Sequence, residues 1–222
     1  MGGGMNFLET LLRLHTAVKQ HSLSEVVQAC SAVSDHPNVQ GHDLAHSGYS
    51  ETLKAALRRG EPEIFERVCA VGCFKQAKFD FHEAREIIET LFTYDSDDNR
   101  RVFLNFLCGC NSEIQKRFMF SAFIKCYNPL LQDICSEPQH VSLRCALVDA
   151  AVEFDYIELA LEIVQSTPEA LPALSACNPQ TRKGDVWIVL HNEYTAWRAR
   201  QEHDALTAEV AGMDKHTVAR KM

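Results

Sequence analysis

Strand-like alternation of polar and apolar residues is scarce in this 222-residue chain, and no apolar run approaches the roughly 18 residues that a membrane-spanning helix needs. A sheet-based fold and a membrane span are therefore not expected. Positive charge is also short: 22 Lys and Arg stand against 30 Asp and Glu, for a formal charge of -8. Phosphate binding draws its affinity from a basic surface, so nucleic acid is not expected as a partner. The one basic cluster, Arg198, Arg200, Lys215, Arg220 and Lys221, is interleaved with Glu202, Asp204, Glu209 and Asp214 and reads as a solvated helical face. The catalytic signatures Gly-x-Ser-x-Gly and His-Glu-x-x-His do not occur, nor does a phosphate-binding glycine loop.

Cysteine is not scarce, at nine residues, but it is poorly placed for zinc. Cys108-Gly-Cys110 is a close pair without the second pair that a structural zinc site usually shows. Cys30, Cys69, Cys126 and Cys145 lie inside apolar helical runs and read as reduced, core-filling thiols. The N-terminus lacks a secretory leader pattern, and the expected location is the cytoplasm, or a host cell's cytoplasm for a delivered effector. No metal and no cofactor are expected. Asp95-Ser-Asp97-Asp98-Asn99 resembles the start of a calcium loop, but Arg100 and Phe106 stand where glycine and glutamate are required. A helix cap is the expected role, with Asp97 or Asp98 as the capping residue.

What the chain does have is helical period nearly throughout. Helices are expected over 6–20, from Ser22 or Ser24 through the apolar Val26, Val27, Ala29 and Cys30, and over 82–93, 99–108, 112–126, 140–152, 155–166 and 185–210. Asn111 or Ser112 and Asp185 are the expected caps of the 112–126 and 185–210 helices. Phe103, Phe106, Phe118, Phe120 and Phe123 are expected to form one aromatic centre. Gly41 to Gly48 reads as a histidine-rich loop. Pro168, Pro172 and Pro179 mark an irregular linker over 167–184. The organisation expected is a tag or disordered lead at 1–5, a helical repeat domain at 6–166, that linker, and a C-terminal capping helix and tail at 185–222.

The stretch Glu51 to Gly72 is the most regular. Leu53, Ala56 and Leu57 make a narrow stripe, Gly60 ends the helix in a left-handed turn, Pro62 opens the next helix, Ile64, Phe65 and Val68 supply its stripe, and Gly72 stops it. Ala56-Leu57-Arg58-Arg59-Gly60, followed by Glu63-Ile64-Phe65 and Gly72-Cys73, resembles the inner part of an ankyrin repeat. Glu51-Thr52-Leu53-Lys54 stands where that family has Thr-Pro-Leu-His, keeping only the leucine. Ser22, at the position of Gly60 in a preceding repeat, gives a spacing longer than the family's roughly 33 residues.

The resemblance implies an all-α fold of stacked helical hairpins, ankyrin-like or a related α-solenoid, closed by the long C-terminal helix. It also implies a protein-binding module. The partner-binding residues expected are the exposed ones of the best repeat and its loop: His42, His46, Tyr49, Lys54, Arg58 and Arg59. Two other readings stand beside it. One is an effector enzyme with a Cys/His site. The other is a homo-oligomer formed through the Trp187, Tyr194 and Trp197 face of the last helix.

Overall fold

The computed structural model describes residues 6–20, 22–36 and 46–219, and among these it is helical with no strand. Two compact units divide the chain, Met1–Ala150 and Ala151–Met222.

In the first unit α1 (Phe7–Gln20) packs on α2 (Leu23–Ser34) and on α3 (His46–Arg59). Phe7, Leu11, Leu14 and Val18 fill the buried side of α1. In α2 the core positions are Val26, Cys30 and Val33, whereas Val27 faces solvent. Glu25 fixes the start of α2 by accepting from the Ser22 N–H at 2.9 Å. The polar stretch before α3 ends sooner than expected, since His46 to Gly48 are already helical. Gly48 is there because a Cβ at that position would come within 2.8 Å of the buried Leu11.

Gly60 takes the left-handed conformation, φ 70°, and leads into α4 (Pro62–Ala70) with proline in its first turn. Leu53, Ala56, Leu57, Ile64, Phe65 and Val68 are all fully buried between the two helices. Gly72 does not stop α4. Val71 does so in an extended conformation, and Gly72 opens the short α5 (Gly72–Gln76), which the helical period had not shown.

α6 (Phe81–Thr93) packs on α3 and on α8 (Ser112–Ile124), and α7 (Asp97–Cys108) packs on α4 and α8. Ser96, not Asp97 or Asp98, caps α7 by accepting from the Asn99 N–H at 3.1 Å. Asn111 caps α8. The aromatic centre is real but differently composed: Phe103, Phe106 and Phe118 are fully buried with Phe79, while Phe120 and Phe123 are only half-buried. α9 (Asn128–Ser136), which the period also missed, follows, and then α10 (Val141–Glu153).

In the second unit α11 (Ile157–Ser166) packs on a 3-10 turn at Pro168–Ala170 and on α12 (Arg182–Ala219). α12 starts at Arg182, so Asp185 lies within its first turn rather than capping it. Gly184 admits no side chain, because a Cβ would fall 1.7 Å from the carbonyl oxygen of Asn178.

Gly60 is not alone in its turn. Cys126, after α8, and Asp155, after α10, also have positive φ, 51° and 64°. Each turn closes as a Schellman motif, with Tyr127 N–H bonded to Ala122 C=O at 3.0 Å and Tyr156 N–H to Ala151 C=O at 2.9 Å. A side chain in this region costs about 1 kcal/mol relative to glycine. Cys126→Gly should therefore stabilise the chain by up to about 0.5 kcal/mol, the larger entropy of unfolded glycine offsetting at least half of the relief. A denaturant midpoint that falls on this substitution would show that the cysteine side chain makes compensating contacts.

Candidate functional site

The first helices of the hairpins are joined by ion pairs. Lys54 of α3 reaches Glu86 of α6 at 2.5 Å, and Glu51 at 2.6 Å. Glu89 of α6 takes Lys125, just beyond α8, together with Arg85 at 3.0 Å. Lys116 of α8 lies 3.5 Å from Asp149 of α10. Burial alone would lower the Lys54 pKa, but the carboxylates of Glu51 and Glu86 outweigh it and raise it. Glu86 is held below the usual carboxylate range mainly by its bond to Lys54, and Glu89 by its bonds to Lys125 and Arg85.

These contacts correct the exposure expected of two residues in the partner-binding set. Lys54 is buried with its charge consumed inside the protein, and Tyr49 is buried against Phe74, ring centroids 4.8 Å apart, with burial raising its pKa. Neither presents its side chain to solvent. Arg59 is half-buried and donates to the Val18 carbonyl at 2.9 Å and to Glu61 at 2.7 Å. Arg58 is exposed. His42 lies outside the described residues, and His46 is described only as the first residue of α3.

The face that α6 and α8 share carries three of the large apolar side chains that meet solvent. Asp80 caps α6, accepting from the Glu83 N–H at 2.8 Å while Glu83 accepts from the Asp80 N–H at 3.0 Å, and this sets Phe81 at the first helical position. Phe81, Arg85, Glu89 and Phe92 then recur at helical spacing beside the buried stripe of Ala84, Ile87, Ile88 and Leu91. Phe81 is 53% exposed, Phe92 54% and Ile124 51%.

Phe81 packs on Phe120 of α8 at 5.3 Å, with the Arg117 guanidinium 5.7 Å from its ring centre. Arg117 is held by the Phe79 carbonyl at 2.5 Å and by Glu113 at 3.3 Å. At the far end Phe92 rests edge-on against the buried Tyr127, 5.2 Å away. The result is an aromatic and aliphatic patch interrupted by positioned cations. The sequence carried a signal for it, the second stripe of α6, but a phenylalanine on a helix reads as core until the opposing helix is known.

Other clusters offer less. The nine cysteines are free thiols. Burial pushes Cys30 up to about 11 and Cys110 up to about 12, and Cys69 well above its usual value, away from the thiolate that a nucleophile or metal ligand must be. Among the described residues no group of three or more His, Cys, Asp and Glu is arranged to hold a metal ion. A cavity of about 360 Å³ between α7 and residues 133–140 contains Arg100, but that guanidinium is occupied by Asp95, Asp97 and Asp133. No described helix is long and apolar enough to cross a membrane. No family model matches the chain, and no curated protein or solved structure matches it.

Proposed function

We propose that this chain is a protein-binding module of degenerate ankyrin-like hairpins, and that it docks its partner on the exposed α6–α8 face. The observation that carries this reading is the exposure of Phe81, Phe92 and Ile124 together, framed by Arg85, Arg117 and Lys125. Isolated apolar residues on a surface are ordinary, but aromatic side chains set among arginines along one helical face have the composition of a binding hot spot. The cations are held in place by Glu89 and Glu113, so little side-chain freedom is lost on docking.

The ankyrin-like part of the proposal has separate support. The packing order runs α1, α3, α6, α8 through the first helices and α2, α4, α7 through the second. Left-handed turns close the hairpins at Gly60 and Cys126, and the distance between those two residues is two periods of roughly 33. In such an array the first helices present the recognition surface.

A photo-reactive residue introduced at Phe81 or Phe92 should capture a protein partner from lysate, whereas the same residue at Glu66 of α4 or Arg101 of α7, exposed on second helices, should not. Against a captured partner, Phe92→Ala should weaken binding by more than about tenfold while changing stability by less than about 1 kcal/mol. Equal capture from both sets of positions, or capture from neither, would contradict the reading. Charge reversal at Arg59 is not a clean probe, because it also breaks the bond to Val18.

A further inference from the structure

α12 continues well past the face it uses in its own unit. Val186, Trp187 and Leu190 are buried, Tyr194 and Trp197 are half-buried and stacked at 5.6 Å and 27°, and residues 198–208 are exposed throughout. Trp187, buried within the second unit, has no surface to give to an interface. With 3.6 residues per turn, Tyr194, Trp197, Gln201, Ala205 and Ala208 fall within about 40° of one line along the helix. That stripe is bulky before Gln201 and small after it. Arg198 and Glu202 border it on one side, Arg200 and Asp204 on the other, all exposed.

We propose that a second copy of this chain docks on this stripe, with the two α12 helices crossing antiparallel about a two-fold axis at Gln201. Each copy then sets Tyr194 and Trp197 over Ala205 and Ala208 of the other, large side chains against small ones, as close packing requires. The same operation brings Arg198 beside Glu202 of the second copy and Arg200 beside Asp204 of the second copy, on both sides of the axis. A parallel pair does the opposite. It sets Arg198 beside Arg200 and Glu202 beside Asp204, and it puts alanine opposite alanine. The order Arg-Ala-Arg-Gln-Glu-His-Asp from 198 to 204 is thus charge-complementary to itself only when reversed. The pair between Arg198 and Glu202 within one helix, 3.2 Å long and exposed, is too weak to compete with a packed interface.

Light scattering on the full chain from about 5 to about 200 µM should show a dimer. R198E/R200E makes both borders acidic, E202R/D204R makes both basic, and each change should weaken self-association more than tenfold. Mixing the two variants should restore a dimer. All four positions are exposed, so circular dichroism should be unchanged. Benzoylphenylalanine at Trp197 should cross-link to residues 205–208 of the second copy. A monomer across the whole concentration range, a dimer indifferent to the reversals, or cross-links to residues 197–201 of the second copy would each overturn the proposal.

Discussion

Phe118→Ala is expected to destabilise the first unit by about 4 kcal/mol, whereas Phe120→Ala, two residues along the same helix, is expected to cost about 1 kcal/mol or less. The difference comes from what each ring touches. Phe118 is fully buried, with its ring centroid 5.3 Å from Phe103 and 5.6 Å from Phe79, both edge-on. Removing it forfeits the burial of a whole phenyl ring, the edge-to-face attraction of two neighbours and the packing around the resulting cavity. Phe79 and Phe103 are themselves held by Phe106, so the site cannot collapse freely. Phe120 is half-buried and leans on Phe81, which is itself largely in solvent. Both tryptophans, Trp187 and Trp197, belong to the second unit, so denaturant unfolding should be followed by far-ultraviolet circular dichroism rather than tryptophan fluorescence. Equal losses at the two positions would mean that Phe120 is as much a part of the core as Phe118.

That contrast also shows how far the sequence could be read. Periodicity finds the helices that are long and amphipathic, and it placed the Leu53 and Ile64 stripes on the face they occupy. It did not find α5 or α9, which are five and nine residues long and carry too few turns to show a period. It could not tell Phe118 from Phe120, because α8 is apolar on more than one side and only the positions of α6 and α7 decide which rings are enclosed. The exposure expected of Tyr49 and Lys54 failed for a related reason. A lysine on an amphipathic helix reads as solvent-facing, and nothing local to residue 54 announces Glu86, 32 residues on. Cys126 and Asp155 were hidden because a left-handed turn is legible when glycine occupies it, as at Gly60, and silent when another residue does. For the α6–α8 face the residues were visible but their exposure was not, since exposure depends on what packs alongside.

Arg100→Ala should cost about 2–3 kcal/mol, the second largest effect expected. The acidic stretch at Asp95 to Asp98 looked like a helix N-terminus enriched in carboxylates, and in part it is, with Ser96 as the cap. Its larger role is to surround one cation. Arg100 donates from Nη1 to Asp95 at 2.6 Å, from Nη2 to Asp97 at 2.5 Å and from Nε to Asp133 at 2.6 Å, joining α7 to α9. Asp95 also accepts from the Tyr127 hydroxyl at 2.5 Å, so the network reaches the buried ring on which Phe92 rests. Burial alone would lower the Arg100 pKa, and the bonds to Asp133 and Asp95 more than reverse that. Asp97 is almost fully exposed and contributes little. Asp95 and Asp133 are each about one-third exposed, which discounts the strength of a charged hydrogen bond but does not remove it. Alanine would leave the two carboxylates without their shared cation and with mutual repulsion in its place. Arg100→Lys should recover less than half of the loss, because one ammonium cannot reproduce three donors fixed in a plane. Arg100→Ala should also raise hydrogen exchange in α9 before it does so in α3, since Asp133 loses its tie directly. A loss under 0.5 kcal/mol, or full rescue by lysine, would show that the three bonds act only as surface pairs.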